Sequence, residues 1–201
     1  KDPANKEIMA TENHRRAYLL LALIIVLWGV NWPIMKAGVA YIPPLWFATA
    51  RVFLGCLCLF ALVAARGGLH LPQRRDAPIL FSVGVLQVGG TLACIHFGVS
   101  FVEAGRSAIL SYTTPLWVTP LAAMVLGERL SLGKAAGLIL GLAGVGVLFN
   151  PGEFDFLDRD SLIGNGLLLL SAMILAVVIV HVRSHPWRTP ALELMPWQML
   201  L

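Results

Sequence analysis

The chain has 201 residues, of which 58% are hydrophobic and 13% charged, with a mean hydropathy of +0.78. Soluble domains carry about 25% charged residues, so this inventory cannot cover a water-exposed surface, which excludes a soluble enzyme or binding module. A net charge of +4 would suit nucleic acid if it were clustered, but the basic residues fall in short breaks between apolar blocks. No nucleic-acid partner is expected, and the lipid bilayer is the main one.

In chain order, Lys1 to Asn13 is polar and expected to be disordered, within a cytoplasmic tail over residues 1–16. The apolar block at 17–39 is too long for a cleavable signal and lacks a small-residue cleavage site after it, so it is expected to remain as the first anchor. Further blocks of about 18 to 25 residues match a hydrocarbon core of about 30 Å. They place spans at 44–65, 77–101, 107–127, 133–150 and 162–182, with a seventh beginning near Pro190. Backbone groups in lipid must be satisfied within the segment, and no alternating barrel pattern is present, so the spans are helical. The expected fold class is all-α, a polytopic membrane helical bundle.

The loop at 151–161 carries Glu153, Asp155, Asp158 and Asp160 and reads as a solvated external loop more than a calcium site. Cys56, Cys58 and Cys94 lie inside apolar segments with no CxxC pair, which favours packing over disulfide or metal roles. Threading the spans puts eleven Lys and Arg on the side of the N-terminus and three, Lys36, Arg106 and Arg159, on the other. By the positive-inside bias the N-terminus is expected in the cytoplasm, with the chain in the inner membrane.

A shift of 147 residues sets Lys36 on Arg183, Pro43 on Pro190, Leu45 on Leu192, Arg51 on Gln198 and Leu54 on Leu201. Five spans per repeat is an odd number, so the second copy enters the membrane inverted. That is the design of secondary transporters. Residues 17–150 form the first repeat, and 162–201 begin a second that needs a chain of roughly 295 residues to complete. The 201 residues alone are therefore expected not to transport.

Trp28-Gly29-Val30-Asn31-Trp32 followed by Lys36, then Pro44 and Arg51, open a series of motifs. The series continues with Ala104 to Leu110, Tyr112-Thr113-Thr114-Pro115-Leu116-Trp117 and Gly127-Glu128-Arg129-Leu130-Ser131. In order and spacing these resemble the EamA-type drug/metabolite transporters over about residues 18–201. The resemblance implies ten helices in two five-helix repeats, no cofactor, and export of small-molecule substrates such as amino acids. A broad-specificity drug exporter, a lipid-carrier flippase or an oligomeric membrane subunit stay open as alternatives, as does a homodimer.

Several polar residues fall inside the spans. Pro33, Pro115 and Pro120 remove helix hydrogen bonds and are expected to kink their helices. Trp28, Asn31, Trp32 and Lys36 share one helix face, and an amide in lipid should look inward. Asn31 then either lines a cavity or bonds a neighbouring helix, and both tryptophans either pack or touch substrate. Lys36, about 28 Å along its helix, reads as an anchor or a gate. Arg51 lies about 10 Å inside its span and needs carbonyls, a carboxylate or water, with Glu103, a gate or rim candidate, the nearest carboxylate by depth. Arg51 is either a structural clamp or a substrate or gating contact.

Ser111, Tyr112, Thr113 and Thr114, with Trp117 one turn on, form the preferred binding wall, interhelical hydrogen bonds being the alternative. His96 is the remaining candidate, either packed or a proton carrier. Gly133, Gly137 and Gly141 form a small-residue stripe suited to helix packing. No GxxxxGK[ST], HExxH or GxSxG pattern occurs, so neither direct ATP drive nor these hydrolytic chemistries, and no metal, is expected.

Overall fold

The computed structural model describes residues 3–149, 158–186 and 189–201. These form seven helical spans without strands: α1 (Pro3–Val39), α2 (Pro44–Ala65), α3 (Arg74–Phe101), α4 (Ala104–Leu126), α5 (Leu132–Phe149), α6 (Arg159–Ser184) and α7 (Ala191–Leu200). Five are long and apolar enough to cross a membrane, namely α1 from Arg16 onward, α2, α3, α4 and α6. The 18 residues of α5 reach about 27 Å at 1.5 Å per residue. Apolar blocks thus located the helices within about three residues of where they start. One difference is at the N-terminus, where the helical backbone runs back to Pro3 through the stretch expected to be disordered. Glu153, Asp155 and Arg188 lie outside the described residues.

Local chemistry explains the breaks. Pro43 precedes α2 with φ −51° and ψ 138°, and Pro190 precedes α7 with φ −52° and ψ 136°. The two prolines that the 147-residue shift superimposes therefore start their helices with the same backbone geometry. Gly127, at φ 66°, ends α4 in the left-handed conformation that glycine adopts without strain. Asp158 caps α6 by accepting from the Asp160 amide at 3.2 Å. The Ser161 hydroxyl, and then the Ser161 and Asp160 amides, hold its carboxyl below the usual aspartate range.

Pro33 and Pro120 sit inside continuous helix, whereas α4 breaks at Tyr112 and Thr113, just before Pro115. The middle of α3, Ser82–Thr91, is π-helical, a wider turn common at functional sites.

Helix α6 runs through the centre and packs along α3 and α4, while α5 packs chiefly on α4 and leaves Leu140 and Val147 about three-quarters exposed (73% and 76%). Such apolar surface is what a bilayer solvates. Helices α3 and α6 cross closely at two glycines. A Cβ on Gly98 would lie 2.6 Å from a Leu168 carbon, and one on Gly164 2.6 Å from Val102. Trp32, Met35, Val99, Val102, Leu110 and Leu168 form a core joining α1, α3, α4 and α6. Helix α7 runs antiparallel to α2: Trp197 meets Phe60 edge-on at 5.1 Å, and Glu193 reaches His70 at 3.4 Å. The pairing sets the two proline-led helices that the 147-residue shift superimposes face to face.

Of the glycine stripe, Gly141 packs against Leu116, while a Cβ on Gly133 or Gly137 would meet nothing within 4 Å. The close crossing falls instead at Gly98 and Gly164, which share no sequence stripe.

Candidate functional site

The local chemistry of α4 opens the site. Pro115 has no N–H to give the carbonyl of Ser111, so the helix pauses there. The Thr114 hydroxyl fills the gap, donating to the Ser111 carbonyl at 2.9 Å, and the Thr113 hydroxyl donates to that of Leu110 at 2.6 Å. Thr113 also accepts from the Trp117 indole at 3.2 Å. These local bonds hold Tyr112 in a turn, where its hydroxyl accepts from the Trp32 indole N–H at 3.0 Å. The two rings meet edge to face at 5.8 Å.

Beside this break lies a cavity of about 570 Å³, within the range of small-molecule sites. Trp28, Asn31 and Trp32 line it from α1, Arg51 from α2, Thr91 and Ile95 from α3, Ser111, Tyr112 and Thr114 from α4, and Ser171, Ala172 and Leu175 from α6. Trp32 is buried in the core as well, whereas Trp28 is 65% exposed. Thr113 and Trp117 lie off the cavity and serve the α4 turn. A separate hollow of about 360 Å³ between α2, α3 and α7 is lined mainly by apolar side chains and carries no charge.

Arg51 is the only charged residue on the cavity wall among the described residues. The sequence left carbonyls, water or a carboxylate open as its partner, Glu103 being the nearest carboxylate by depth, and the bonds go to an amide and an imidazole. Nη2 donates to Asn31 Oδ1 at 2.7 Å and Nη1 to His96 Nε2 at 3.3 Å, and the guanidinium stands 5.7 Å from the centre of the Phe47 ring. His96 Nδ1 lies 2.7 Å from the Leu92 carbonyl. A carbonyl only accepts, so Nδ1 carries the hydrogen and Nε2 offers its lone pair to Arg51. The cluster is thus one cation held by two neutral groups. Glu103 stays exposed at the α3–α4 turn.

Lys36 caps the end of α3 by donating to the carbonyls of Val99 and Ser100 at 2.8 and 3.1 Å. At the opposite end Glu128 joins Lys134 at 3.5 Å and Arg183 at 3.4 Å, tying the α4–α5 turn to α6. No cluster of metal-ligating side chains occurs among the described residues. Sequence reasoning missed Thr91 and Ser171. A hydroxyl inside an apolar span is the signal that could have found them, because such groups turn away from lipid.

Apolar helices lining a mainly apolar cavity with one cation on its wall, five of them long enough to span a bilayer, define a multi-pass membrane protein. The chain belongs to the EamA-like transporter family, whose model matches residues 15–150. It is 32% identical to the uncharacterized transporter YvbV of Bacillus subtilis, over 92% of this chain and 60% of the relative. Against the uncharacterized transporter YoaV of the same organism it is 26% identical, over 89% of this chain and 61% of the relative. A protein of Escherichia coli named "Probable amino-acid metabolite efflux pump" is 26% identical, over 93% of this chain and 61% of its own. The chain spans about three-fifths of the length of these relatives. No solved structure matches it.

Proposed function

We propose that this chain acts in a secondary carrier that exports small polar metabolites, amino acids or related compounds, across the cytoplasmic membrane. Alternating access moves the cargo, with the two inverted repeats rocking about the cavity, and the N-terminus lies inside. The observation that carries this reading is the cavity of about 570 Å³, walled by α1–α4 of the first repeat and by α6 of the second. A relative named for amino-acid metabolite efflux supports the cargo class. Arg51 as the one wall charge disfavours the rival reading, an exporter of hydrophobic cations.

Counterflow in proteoliposomes tests it. Labelled amino acids should exchange when the lumen is loaded with the unlabelled compound. Exchange of hydrophobic cations with none of any polar metabolite would overturn the proposal.

A further inference from the structure

We infer that Arg51 is a carboxylate anchor, and that the cavity takes carboxylic acids with an apolar or aromatic body in preference to their neutral analogues. The inference rests on the carrier reading and names the chemistry its cargo must carry. The first argument is charge. The guanidinium lines the cavity, both of its hydrogen-bond partners are neutral, and no carboxylate lies on the wall. A neutral amide at this position could tie α1 to α3 without bringing a charge into the membrane. The retained charge therefore calls for a counter-ion, and Arg51 lines the cavity.

The second argument is donor count. Guanidinium has five N–H donors in a planar fork, and the structure gives one on Nη1 to His96 and one on Nη2 to Asn31. Three remain, enough for the two parallel bonds of a bidentate carboxylate.

The third is an independent orphan. Ser111 Oγ, in a residue only 8% exposed, has no hydrogen-bond partner and belongs to the α4 wall of the same cavity. Buried polar atoms are nearly always paired; this hydroxyl is closed off from the cavity as it stands, and a turn about χ1 would present it to a ligand oxygen. Trp28, Trp32, Tyr112 and Ile95 supply the surface for an apolar body. Asn31 and His96 act as positioning residues, since they fix the fork and need not touch the ligand.

Titration calorimetry on the full chain in nanodiscs tests this, with 3-phenylpropionate, acetate and 3-phenylpropionamide as probes. The phenyl acid should bind at least tenfold tighter than its amide. Arg51→Gln should erase that preference by weakening the acid alone, and Arg51→Lys should keep part of it. Equal binding of acid and amide by the parent protein overturns the anchor and leaves the carrier reading standing. If Arg51→Gln loses the amide too, the fold has failed and Arg51→Lys decides, a retained preference supporting the anchor and a lost one overturning it. Absence of binding by either acid also overturns the anchor. The carrier reading then stands or falls separately, on counterflow of neutral or cationic metabolites.

Discussion

Two clusters tie the helices together through basic side chains, one inside the membrane and one at its edge. The edge cluster joins Glu128 to Lys134 and Arg183 through long contacts of 3.5 and 3.4 Å, with the side chains 36% to 54% exposed. The interior cluster joins Arg51 to Asn31 at 2.7 Å and to His96 at 3.3 Å, with no acid at all. Depth accounts for the difference. Near water a charge costs little and an opposite charge can come and go, so the edge pairs are adjustable and weak. Within the bilayer a carboxylate would neutralise Arg51 and spend its charge on the fold. Neutral acceptors hold the guanidinium in place while leaving its charge available. Lys36 and Arg183, which the 147-residue shift superimposes, repeat the theme at opposite ends, one capping carbonyls and the other meeting an acid.

The largest effect should come from emptying the interior cluster. Asn31→Leu removes the short acceptor and should destabilise the protein by about 1.5–3 kcal/mol, the usual loss for a hydrogen bond to a charged group. Reversible unfolding in mixed micelles measures it. Asn31→Asp converts the interior cluster to the edge type. It should raise the melting temperature while cutting carboxylate affinity at least about tenfold, or 1.4 kcal/mol, because the new acid takes the anchor. Unchanged affinity in that variant would mean that Arg51 is a clamp only.

The sequence made much of this cluster legible, for one physical reason. A polar side chain in an apolar span turns inward, and that alone brought Asn31, Arg51, Ser111 and Tyr112 to one cavity. Spans were legible from apolar block length. Pairings were not. Depth along a straight helix made Glu103 the nearest carboxylate to Arg51, yet depth says nothing of rotation. The π-helical stretch Ser82–Thr91 shifts the phase of everything after it in α3, His96 included. A period of 3.6 residues carries no trace of such a stretch. Thr113 and Thr114 were both read as binding wall because they are hydroxyls beside a proline. Such hydroxyls often satisfy the nearby backbone first, and here both do so. The Gly98–Gly164 crossing was hidden because it joins helices that are distant in sequence.

Thr114→Val supplies a middle case, a neutral bond at interior depth. It leaves the Ser111 carbonyl without a donor at the α4 break, and should cost about 1 kcal/mol. Tyr112 would then be less firmly held against Trp32, so ligand affinity should fall by a few-fold along with the melting temperature. A loss of stability with no change in affinity would separate the break from the site.

The smallest effect belongs to the edge. Glu128→Gln deletes both ion pairs at once, yet exposed pairs contribute about 0.2–1 kcal/mol each. Its cost should stay below that of Asn31→Leu. The stronger discriminator is salt, because the Debye length falls from about 10 Å at 0.1 M to about 3 Å at 1 M. Unfolding midpoints of parent and variant should converge as salt rises for Glu128→Gln, and should stay apart for Asn31→Leu, whose partner sits at bilayer depth, away from bulk ions. Should the Glu128 difference persist at about 1 M salt, the edge cluster would be a clamp between the α4–α5 turn and α6. The contrast between adjustable edge and fixed interior would then have to be drawn the other way.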